Sequence, residues 1–349
     1  MSNAQSRPLK IVHAAAFQLA RNGAKYFNME MKLQNGLTRL GHFSYPFSLN
    51  DVARMNSMFN SKKLGRKAEN KALIETCRNL RPDLLLLGQA PYIKPETLQQ
   101  CRAENPHMKV GMWYVEILYD EKEYWHIPPK IEWLDTLFHT ANPPDLALLA
   151  RPGFTTCYFP NPIDSSIETA RQFEKPASEL SYDLVFIGSD RHLPQRSAFL
   201  QRLQELLGSK VRFGIFGSLG NPPVFGEACD QVLLDTRMAI NMARINIPLG
   251  SSDRLARLLG NGILTFTPRS TGLGEVFTEY EMVLFDDADD LAEQVLRYAA
   301  DDDLRRATAR AGWEKIHRCC AETDVARYMI EMTMNGEAHC PWPEHVFRG

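Results

Sequence analysis

Two successive runs of apolar strands and amphipathic helices constrain this chain more than any other sequence feature. The first run opens with the strand "LKIVHAAAF" and continues into a helix that places Met29, Leu33 and Leu37 at helical spacing. A second strand is predicted in "DLLLLG" and another from Lys109 to Val115. Strands that alternate with amphipathic helices indicate a parallel sheet covered by helices on both faces.

The alternation restarts after a polar stretch that contains Pro162 and Pro176. There "DLVFIGS" is predicted as a strand, "PQRSAFLQRLQELLG" as a helix and "VRFGIFG" as the next strand. A length of 349 residues is comfortable for two domains. We therefore expect an α/β protein with two facing, Rossmann-like, doubly wound parallel-sheet domains. Ligands of such sheets bind outside the carboxyl ends of the strands, which predicts a shared cleft.

Composition excludes several functional classes. The chain is 44% hydrophobic and 23% charged, as in an ordinary globular protein. Its net charge is −2, so the overall electrostatic field does not favour the binding of nucleic acid. Its apolar runs are too short to span a bilayer, and the N-terminal apolar stretch is interpreted as a strand, not a signal peptide. Seven cysteines without a CxxC pair indicate reduced thiols in the cytoplasm. The nine histidines are dispersed, so we expect no metal site and no cofactor.

The stretch "GSSDRLARLLGNGILTFTPRSTGLGEVF", residues 250–277, combines an exposed helix start with a glycine-rich loop. Ser251 or Ser252 is predicted to cap the helix, and Asn261 and Gly262 to end it. After the next strand, the loop contributes Arg269, Ser270, Thr271, Gly272, Gly274 and Glu275. A purely structural role, in which serine caps the helix and glycine ends it, would account for the helix. It would not account for the composition of this loop.

Such a helix start is suited to bind phosphate. The first turn of a helix holds unpaired N–H groups and the positive end of the dipole, next to which a glycine-rich loop can approach an anion. Arg254 adds a bidentate donor in the first turn, and Arg257 follows one turn later on the same side of the helix. These features alone leave phosphate binding and simple capping as equal alternatives.

The segment from "SSDRLARLLGNG" through "TGLGEVF" and "DDADDLAEQV" to "DDDLRRATARAGWEKIH" resembles the C-terminal half of CgeB-like glycosyltransferases, which belong to the two-domain GT-B superfamily. "DLVFIGSDRHLPQRSAFLQRL" resembles the first strand, loop and helix of that domain, and "FPNPID" its junction. The resemblance covers about residues 155–320. The polar stretch with Pro162 and Pro176 is the best linker candidate, at 166–180. With the resemblance, we expect domains at 1–165 (acceptor side) and 181–320 (nucleotide-sugar side), and a C-terminal helix and tail at 321–349 that pack back on the first domain.

The resemblance also implies which residues contact the donor. The helix start and the two loops would supply Gly188, Ser189, Arg191, Ser251, Ser252, Asp253, Arg254, Arg257, Arg269, Ser270, Thr271, Gly272, Gly274 and Glu275. Gly188, Ser189 and Arg191 could hold phosphate or acceptor, and the alternative is an ordinary turn between strand and helix. The acidic runs 286–290 and 301–303 precede amphipathic helices and are interpreted as solvated caps, so the expected transfer is metal-independent.

One position departs from the family pattern. Many relatives carry a Glu that faces the donor ribose, and spacing back from Gly262 puts Arg257 there. A guanidinium cannot accept the hydrogen bonds of a diol. Either Asp253 or Glu275 takes over, or the donor is held differently. An extra cation would suit an acidic sugar such as a 3-deoxy-ulosonic acid delivered on CMP, which we keep as a minority hypothesis.

Loops of the first domain are expected to face the acceptor. "AFQLARNGAKYF" offers Gln18, Asn22, Gly23 and Lys25 as acceptor-binding residues. "WYVEILYDEKEYW" places Glu116 and Asp120 past a strand end among aromatic residues, a composition suited to sugar binding, and Glu116 is our choice of general base. The alternative is that these aromatics pack the cleft wall.

The leading hypothesis is a bacterial glycosyltransferase of polysaccharide biosynthesis. It would move a sugar from a nucleotide-sugar donor to a cell-surface glycan or glycolipid, in the cytoplasm or at the inner face of the membrane, with no nucleic-acid partner. The alternatives are a nucleotide-sugar 2-epimerase of the same architecture and a non-catalytic sugar- or nucleotide-binding protein.

Overall fold

The computed structural model describes residues 7–116, 118, 121–142 and 144–349. The chain divides into two compact units. Unit 1 comprises Met1–Phe159, Glu322–Cys340 and Glu344–Gly349, and unit 2 comprises Pro160–Ala321 and Pro341–Pro343. Each unit has its own sheet, so the fold is the two-sheet α/β architecture that the alternating pattern predicts.

Unit 1 begins with six parallel strands in the order β6-β5-β4-β3-β1-β2. These strands are β1 (Lys10–Ala15), β2 (Phe43–Ser48), β3 (Leu84–Gly88), β4 (Lys109–Tyr114), β5 (Thr136–His139) and β6 (Thr155–Tyr158). Its helices are α1 (Met29–Arg39), α2 (Asp51–Met55), α3 (Lys62–Leu80), α4 (Pro95–Glu104), α5 (Glu121–Tyr124) and α6 (Pro144–Leu149). The strand β3 is buried along its whole length, as expected for a parallel sheet covered on both faces.

Unit 2 has a five-stranded parallel sheet in the order β11-β10-β9-β7-β8. Its strands are β7 (Tyr182–Ile187), β8 (Phe213–Phe216), β9 (Thr236–Ile240), β10 (Leu264–Pro268) and β11 (Val283–Phe285). Its helices are α7 (Pro194–Leu207), α8 (Glu227–Leu234), α9 (Asp253–Gly260), α10 (Ala288–Ala300) and α11 (Asp302–Cys319). The strand order reverses between β7 and β9, which makes the carboxyl ends of these two strands the expected ligand position.

The C-terminal segment returns to unit 1. Helix α12 (Glu322–Asn335) packs against α1, and Gly36 permits this approach because a Cβ there would lie 2.2 Å from the carbonyl oxygen of Glu322. Strand β12 (Val346–Arg348) then pairs antiparallel with β6. No strand was predicted in this proline- and aromatic-rich tail, since its partner lies almost two hundred positions earlier in the sequence.

Residues 166–180, the predicted linker, lie within unit 2 and are tied to it. Gln172 is buried, and its Nε2 donates to the carbonyl of Leu234 at 2.7 Å. Nη2 of Arg305 donates to the carbonyl of Lys175 at 2.9 Å. The polarity of this segment therefore reflects hydrogen bonding to its own unit.

Several local predictions are confirmed in unit 2. The acidic runs are helix caps: Asp287 accepts from two N–H groups at the start of α10, and Asp301 accepts from Leu304 N at the start of α11. Ser252 is the N-cap of α9 and accepts from Leu255 N at 3.2 Å. Among the helices of the described residues, none is long and apolar enough to cross a bilayer.

Candidate functional site

Two arginines meet where the strand order of unit 2 reverses. Arg254, in the first turn of α9, donates from Nε to the carbonyl of Ile187 at 3.0 Å and from Nη1 to the carbonyl of Met242 at 2.7 Å. Ile187 ends β7, and Met242 follows β9. The Arg254 side chain therefore links the carboxyl ends of the two strands that flank the reversal.

Arg196, in the first turn of α7, reaches the same strand ends and shares the Met242 carbonyl with Arg254. It donates to the carbonyls of Ser189 at 2.5 Å, Ala243 at 2.6 Å and Met242 at 3.1 Å. Both guanidinium carbons lie 5.6 Å from the ring centroid of Phe186. Sequence reasoning missed Arg196, although its position two residues after the Pro194 that starts α7 was a usable signal.

The electrostatics of this pair favour an anion. Burial of the guanidinium, together with the positive charge of Arg196, lowers the pKa of Arg254 to about 10. Burial also lowers the pKa of Arg196. In the part of the chain that the structure describes, no ion pair involves Arg196, Arg254 or the exposed Arg244. Arg196 and Arg254 donate to main-chain carbonyls, and Arg196 also feels the negative charge of Asp190.

Gly188 is required by this arrangement. It follows β7 directly, and a Cβ at this position would lie 2.9 Å from Arg254 Nη2 and from the Phe186 ring. The next residues belong to the same turn: Ser189 Oγ accepts from the N–H of Arg191 at 3.2 Å. Arg191 itself is exposed. Gly188 therefore lies against the Arg254 side chain, and Ser189 and Arg191 form the turn that follows Gly188.

A cavity of about 270 Å³ opens beside Arg196. It is lined by Leu193, Gln195, Arg196, Phe199, Met242, Ala243, Arg244, Asn246, Pro268, Ser270, Phe285 and Asp286. These residues follow the carboxyl ends of four of the five strands or belong to α7, so the cavity has the position expected of a ligand site in such a sheet.

The loop after β10 contributes one wall of the cavity. Ser270 Oγ accepts from Asn246 Nδ2 at 2.8 Å, which joins this loop to the segment after β9. Arg269 is exposed and pairs with Asp286 at 3.2 Å, and this contact raises its pKa. Thr271 is buried, where its Oγ1 donates to the carbonyl of Pro268 at 2.8 Å. Its hydroxyl therefore serves the turn itself.

The two glycines and the glutamate of this loop have different surroundings. Gly272 has a φ of +69°, a conformation that favours glycine. Gly274 packs near Leu284, since a Cβ there would lie 3.2 Å from its Cδ1. Glu275 is exposed. Glycine is thus required at Gly272 by the backbone, whatever the loop binds.

The start of α9 is partly exposed rather than packed shut. Ser252, Asp253 and Arg254 all retain accessible surface. Ser251 does not cap the helix, because its Oγ accepts from Asn161 N at 2.9 Å and its carbonyl from Asn161 Nδ2 at 2.8 Å. Ser252 Oγ satisfies the N–H of Leu255, and the start of α9 keeps accessible surface at which an anion could meet the positive end of the helix dipole.

Arg257 does not join Arg254, although both were expected on one side of α9. Its side chain is buried against α8, where Nη2 pairs with Asp230 and Nη1 contacts Cys229 Sγ at 3.4 Å. The carboxylate compensates its charge. Arg257 therefore supplies no extra cation at the carboxyl edge of the sheet, which corrects the expectation that led to an acidic sugar.

The predicted acceptor loop lies after β1 in unit 1. Gln18 and Asn22 have φ of 55° and 50°, and Gly23 has φ of 84° with open space around its Cα. Lys25 Nζ lies 5.5 Å from the ring centroid of Phe27. The structure places these four residues in one loop, of which Asn22 and Gly23 are exposed.

The predicted catalytic carboxylates follow β4. Glu116 is exposed, and its main-chain carbonyl accepts from His139 Nε2 at 2.8 Å. His139 ends β5, so it fixes the start of the loop that carries Glu116. Asp120 lies outside the described residues.

Sequence reasoning missed a buried basic cluster at the carboxyl edge of the first sheet. Lys130 Nζ donates to the carbonyl of Ala90 at 2.6 Å and lies 3.4 Å from His126 Nδ1. Burial lowers the pKa of Lys130 to about 7, and burial with the nearby lysine lowers the pKa of His126 to about 3. Gln89 and Ala90, directly after β3, both have positive φ, so Lys130 holds a strained turn.

Comparison with known families supports a glycosyltransferase. Residues 191–331 match the family model described as glycosyl transferase-like. This range contains Arg196, Arg254 and the cavity. No curated protein matches the chain.

Solved structures with similar folds span most of the chain. The OtsA apo structure has a TM-score of 0.60 at 12% identity, covering 95% of this chain and 100% of OtsA. HepE from Anabaena, solved with UDP and glucose, has a TM-score of 0.57 at 10% identity, covering 94% and 100%. TarM has a TM-score of 0.51 at 9% identity, and the chain covers only 56% of its length. The fold is of the GT-B type, and together with the family match it supports a GT-B glycosyltransferase.

Proposed function

We propose that this protein is a GT-B glycosyltransferase that binds a nucleotide-sugar donor in unit 2 and transfers the sugar to a glycan or lipid-linked acceptor of cell-surface polysaccharide biosynthesis. The observation that carries the proposal is the Arg196–Arg254 pair at the strand reversal, within the segment that matches the family model. Two guanidiniums without a carboxylate partner are suited to the charge that develops on a departing nucleotide phosphate.

The donor is oriented by the elements around the pair. Its phosphates lie at the partly exposed start of α9 beside Gly188, close to Arg254 Nη2 and the positive end of the helix dipole. The nucleoside portion enters the cavity next to Arg196 and Arg244. The loop at Arg269–Glu275 closes one side. Because the cationic groups are part of the chain, transfer proceeds without a metal ion, and EDTA leaves the rate unchanged.

Acceptor activation is assigned to unit 1. Glu116 removes the proton of the acceptor hydroxyl, with Asp120 as the second carboxylate of that loop. Gln18, Asn22, Gly23 and Lys25 contact the acceptor. The reaction takes place in the cytoplasm of a bacterium, at the inner face of the membrane when the acceptor is lipid-linked.

A donor panel tests the proposal. The protein is incubated with UDP-, GDP-, dTDP- and CMP-sugars, with and without acceptor extracts, and nucleotide release and donor isomerisation are both recorded. UDP-sugars come first, since HepE was solved with UDP and glucose. CMP-linked acidic sugars remain in the panel, although the pairing of Arg257 with Asp230 removes the charge that favoured them.

The outcomes separate three functions. Acceptor-dependent nucleotide release supports transfer. Isomerised donor without release indicates a nucleotide-sugar 2-epimerase, and saturable binding without turnover indicates a non-catalytic binding protein. Either of the last two results contradicts the proposal.

A further inference from the structure

Four large apolar side chains project from one short segment of unit 1. This segment, residues 52–68, contains the end of α2, the connection to α3 and the first turns of α3. Its exposed side chains are Met55 at 84%, Met58 at 97%, Phe59 at 77% and Leu64 at 65%. Single exposed apolar residues are ordinary, but a contiguous group marks an interaction surface.

The segment is held in place at its base. Gly65 lets α3 approach α2 closely, because a Cβ there would lie 1.7 Å from the carbonyl oxygen of Ala53. Arg66 donates to Asn50 Oδ1 at 2.7 Å and to Glu69 at 2.8 Å, and Glu69 accepts from Asn50 N at 2.6 Å. The apolar side chains are thus presented by an anchored hairpin.

The exposed charges of this segment are positive. The carboxylates that flank it, Asp51 and Glu69, are buried and pair with Arg54 and Arg66. Residues 52–68 contain five basic residues and no acidic one, although the whole chain carries a net charge of −2. The basic residues are Arg54, Lys62, Lys63, Arg66 and Lys67. Lys62, Lys63 and Lys67 are exposed, and within the described ranges none of these three lysines forms an ion pair.

Two exposed aromatic side chains extend the surface. The Arg66 guanidinium lies 3.9 Å from the ring centroid of Tyr92, and the Tyr92 ring lies 6.5 Å from that of Trp125. Both rings are about half exposed. Tyrosine and tryptophan are the residues that favour the boundary between a bilayer and water.

From this arrangement we infer that residues 52–68, with Tyr92 and Trp125, form a docking surface for an anionic phospholipid bilayer. Met58 and Phe59 insert among the acyl chains, while Lys62, Lys63 and Lys67 contact the headgroup phosphates and keep their ammonium groups in water. A protein partner would satisfy the apolar residues equally well. The exposed ammonium groups of Lys62, Lys63 and Lys67, next to carboxylates that are buried, fit an anionic lipid surface better.

This inference deepens the membrane placement in the proposed function, but its test is independent of sugar transfer. The full chain is sedimented with vesicles of phosphatidylcholine alone or mixed with phosphatidylglycerol, at low and high salt. We expect binding to the mixed vesicles, weaker binding at high salt, and little binding to phosphatidylcholine alone.

Matched variants locate the surface. Lys62→Ser with Lys63→Ser is expected to lower partitioning about 30-fold, from the usual contribution of two cations near an anionic leaflet. Met58→Ser with Phe59→Ser is expected to lower it about tenfold or more, because apolar burial is lost. Leu148→Ser and Lys210→Ser, exposed residues outside the surface, serve as controls and bind like the wild type.

Three results would overturn the inference. They are equal vesicle binding by the Met58/Phe59 variant and the wild type, binding to a soluble anionic polymer in place of vesicles, and a dimer in sedimentation velocity that the Met58/Phe59 variant dissociates. Donor binding is measured on the same variants. If the wild type binds donor but no vesicles, the docking inference alone fails, and if it binds vesicles but no donor, the proposed function alone fails.

Discussion

Arg196 and Arg254 share one acceptor, the carbonyl oxygen of Met242, which lies 3.1 Å from Arg196 Nη2 and 2.7 Å from Arg254 Nη1. Two like charges converge at the point where the strand order of the sheet reverses. The positive charge of Arg196 adds to burial in lowering the pKa of Arg254. An anion bound there would relieve this repulsion. The stabilisation of the protein by a ligand should therefore depend on the negative charge of that ligand.

We therefore expect nucleotide phosphates to stabilise the protein. With UDP, or whichever nucleoside diphosphate the donor panel selects, at about a hundred times its Kd, linkage predicts about 2.7 kcal/mol and a rise in Tm of several degrees. The corresponding nucleoside lacks the phosphates and should shift Tm far less. Differential scanning calorimetry measures both. Equal shifts from nucleoside and nucleotide would show that the arginine pair does not bind the phosphates.

Substitution of Arg254 should damage catalysis. Arg254→Ala is expected to raise the donor KM and to lower kcat by about 10- to 1000-fold, comparable with the loss of one preorganised donor to a developing negative charge. Steady-state nucleotide release measures both constants. Wild-type kinetics in a folded Arg254→Ala protein would argue against the donor assignment.

Arg257 provides the control for that experiment, since it lies one turn further along α9 but pairs with Asp230. Arg257→Met leaves a carboxylate without its partner in a mostly buried position, and we expect a loss of about 3 kcal/mol of unfolding free energy. The donor KM should stay near the wild-type value. Urea unfolding and the same kinetic assay separate the two roles.

Lys130 should make stability depend on pH in the alkaline range. Its pKa is lowered to about 7 in the folded protein, below about 10.4 in the unfolded chain, so the unfolded state binds more protons between these values. The contribution of Lys130 to unfolding free energy therefore rises with pH in this window, at up to about 1.4 kcal/mol per pH unit.

Lys130→Met should remove that slope. Met has a similar length but no charge, although it also loses the bond to the Ala90 carbonyl. Urea unfolding of both proteins from neutral to alkaline pH measures their unfolding free energies. The unfolding free energy of the wild type should rise relative to that of the variant as pH rises. If the unfolding free energies of the two proteins change with pH in parallel, the Lys130 amine stays protonated in the folded protein across this range.

The catalytic assignment of Glu116 is tested by Glu116→Gln, which keeps the shape of the side chain but removes the base. We expect transfer to fall by about 100-fold or more while the donor Kd is unchanged. Asp120→Asn is the parallel variant. Full transfer by Glu116→Gln would move the role of base to another residue.

Much of the fold could be predicted because it depends on neighbours in sequence. The spacing of Met29, Leu33 and Leu37 predicts α1, and the acidic residues before α10 and α11 cap those helices as expected. Ser252 was one of two candidates for the cap of α9. Capping and periodicity involve residues three or four positions apart, so the pattern and the structure agree.

The site could be predicted only in part. Its location on α9 and the loops after β7 and β10 follows from the sequence, but the direction of each long side chain does not. Arg254 and Arg257 are indistinguishable in the pattern of the helix, yet one meets strand-end carbonyls and the other a carboxylate on α8.

By itself, therefore, the sequence determined most of the alternating strands and helices and the acidic caps of α10 and α11, because these depend on hydrogen bonds and apolar spacing within a few residues. It did not indicate β12, whose partner strand is distant in the sequence. Only the tertiary structure decided which cations remain without a carboxylate, that Arg196 joins Arg254, and that Met58 and Phe59 stay exposed. The partner of a long polar side chain is selected through space, among groups that the fold alone brings near.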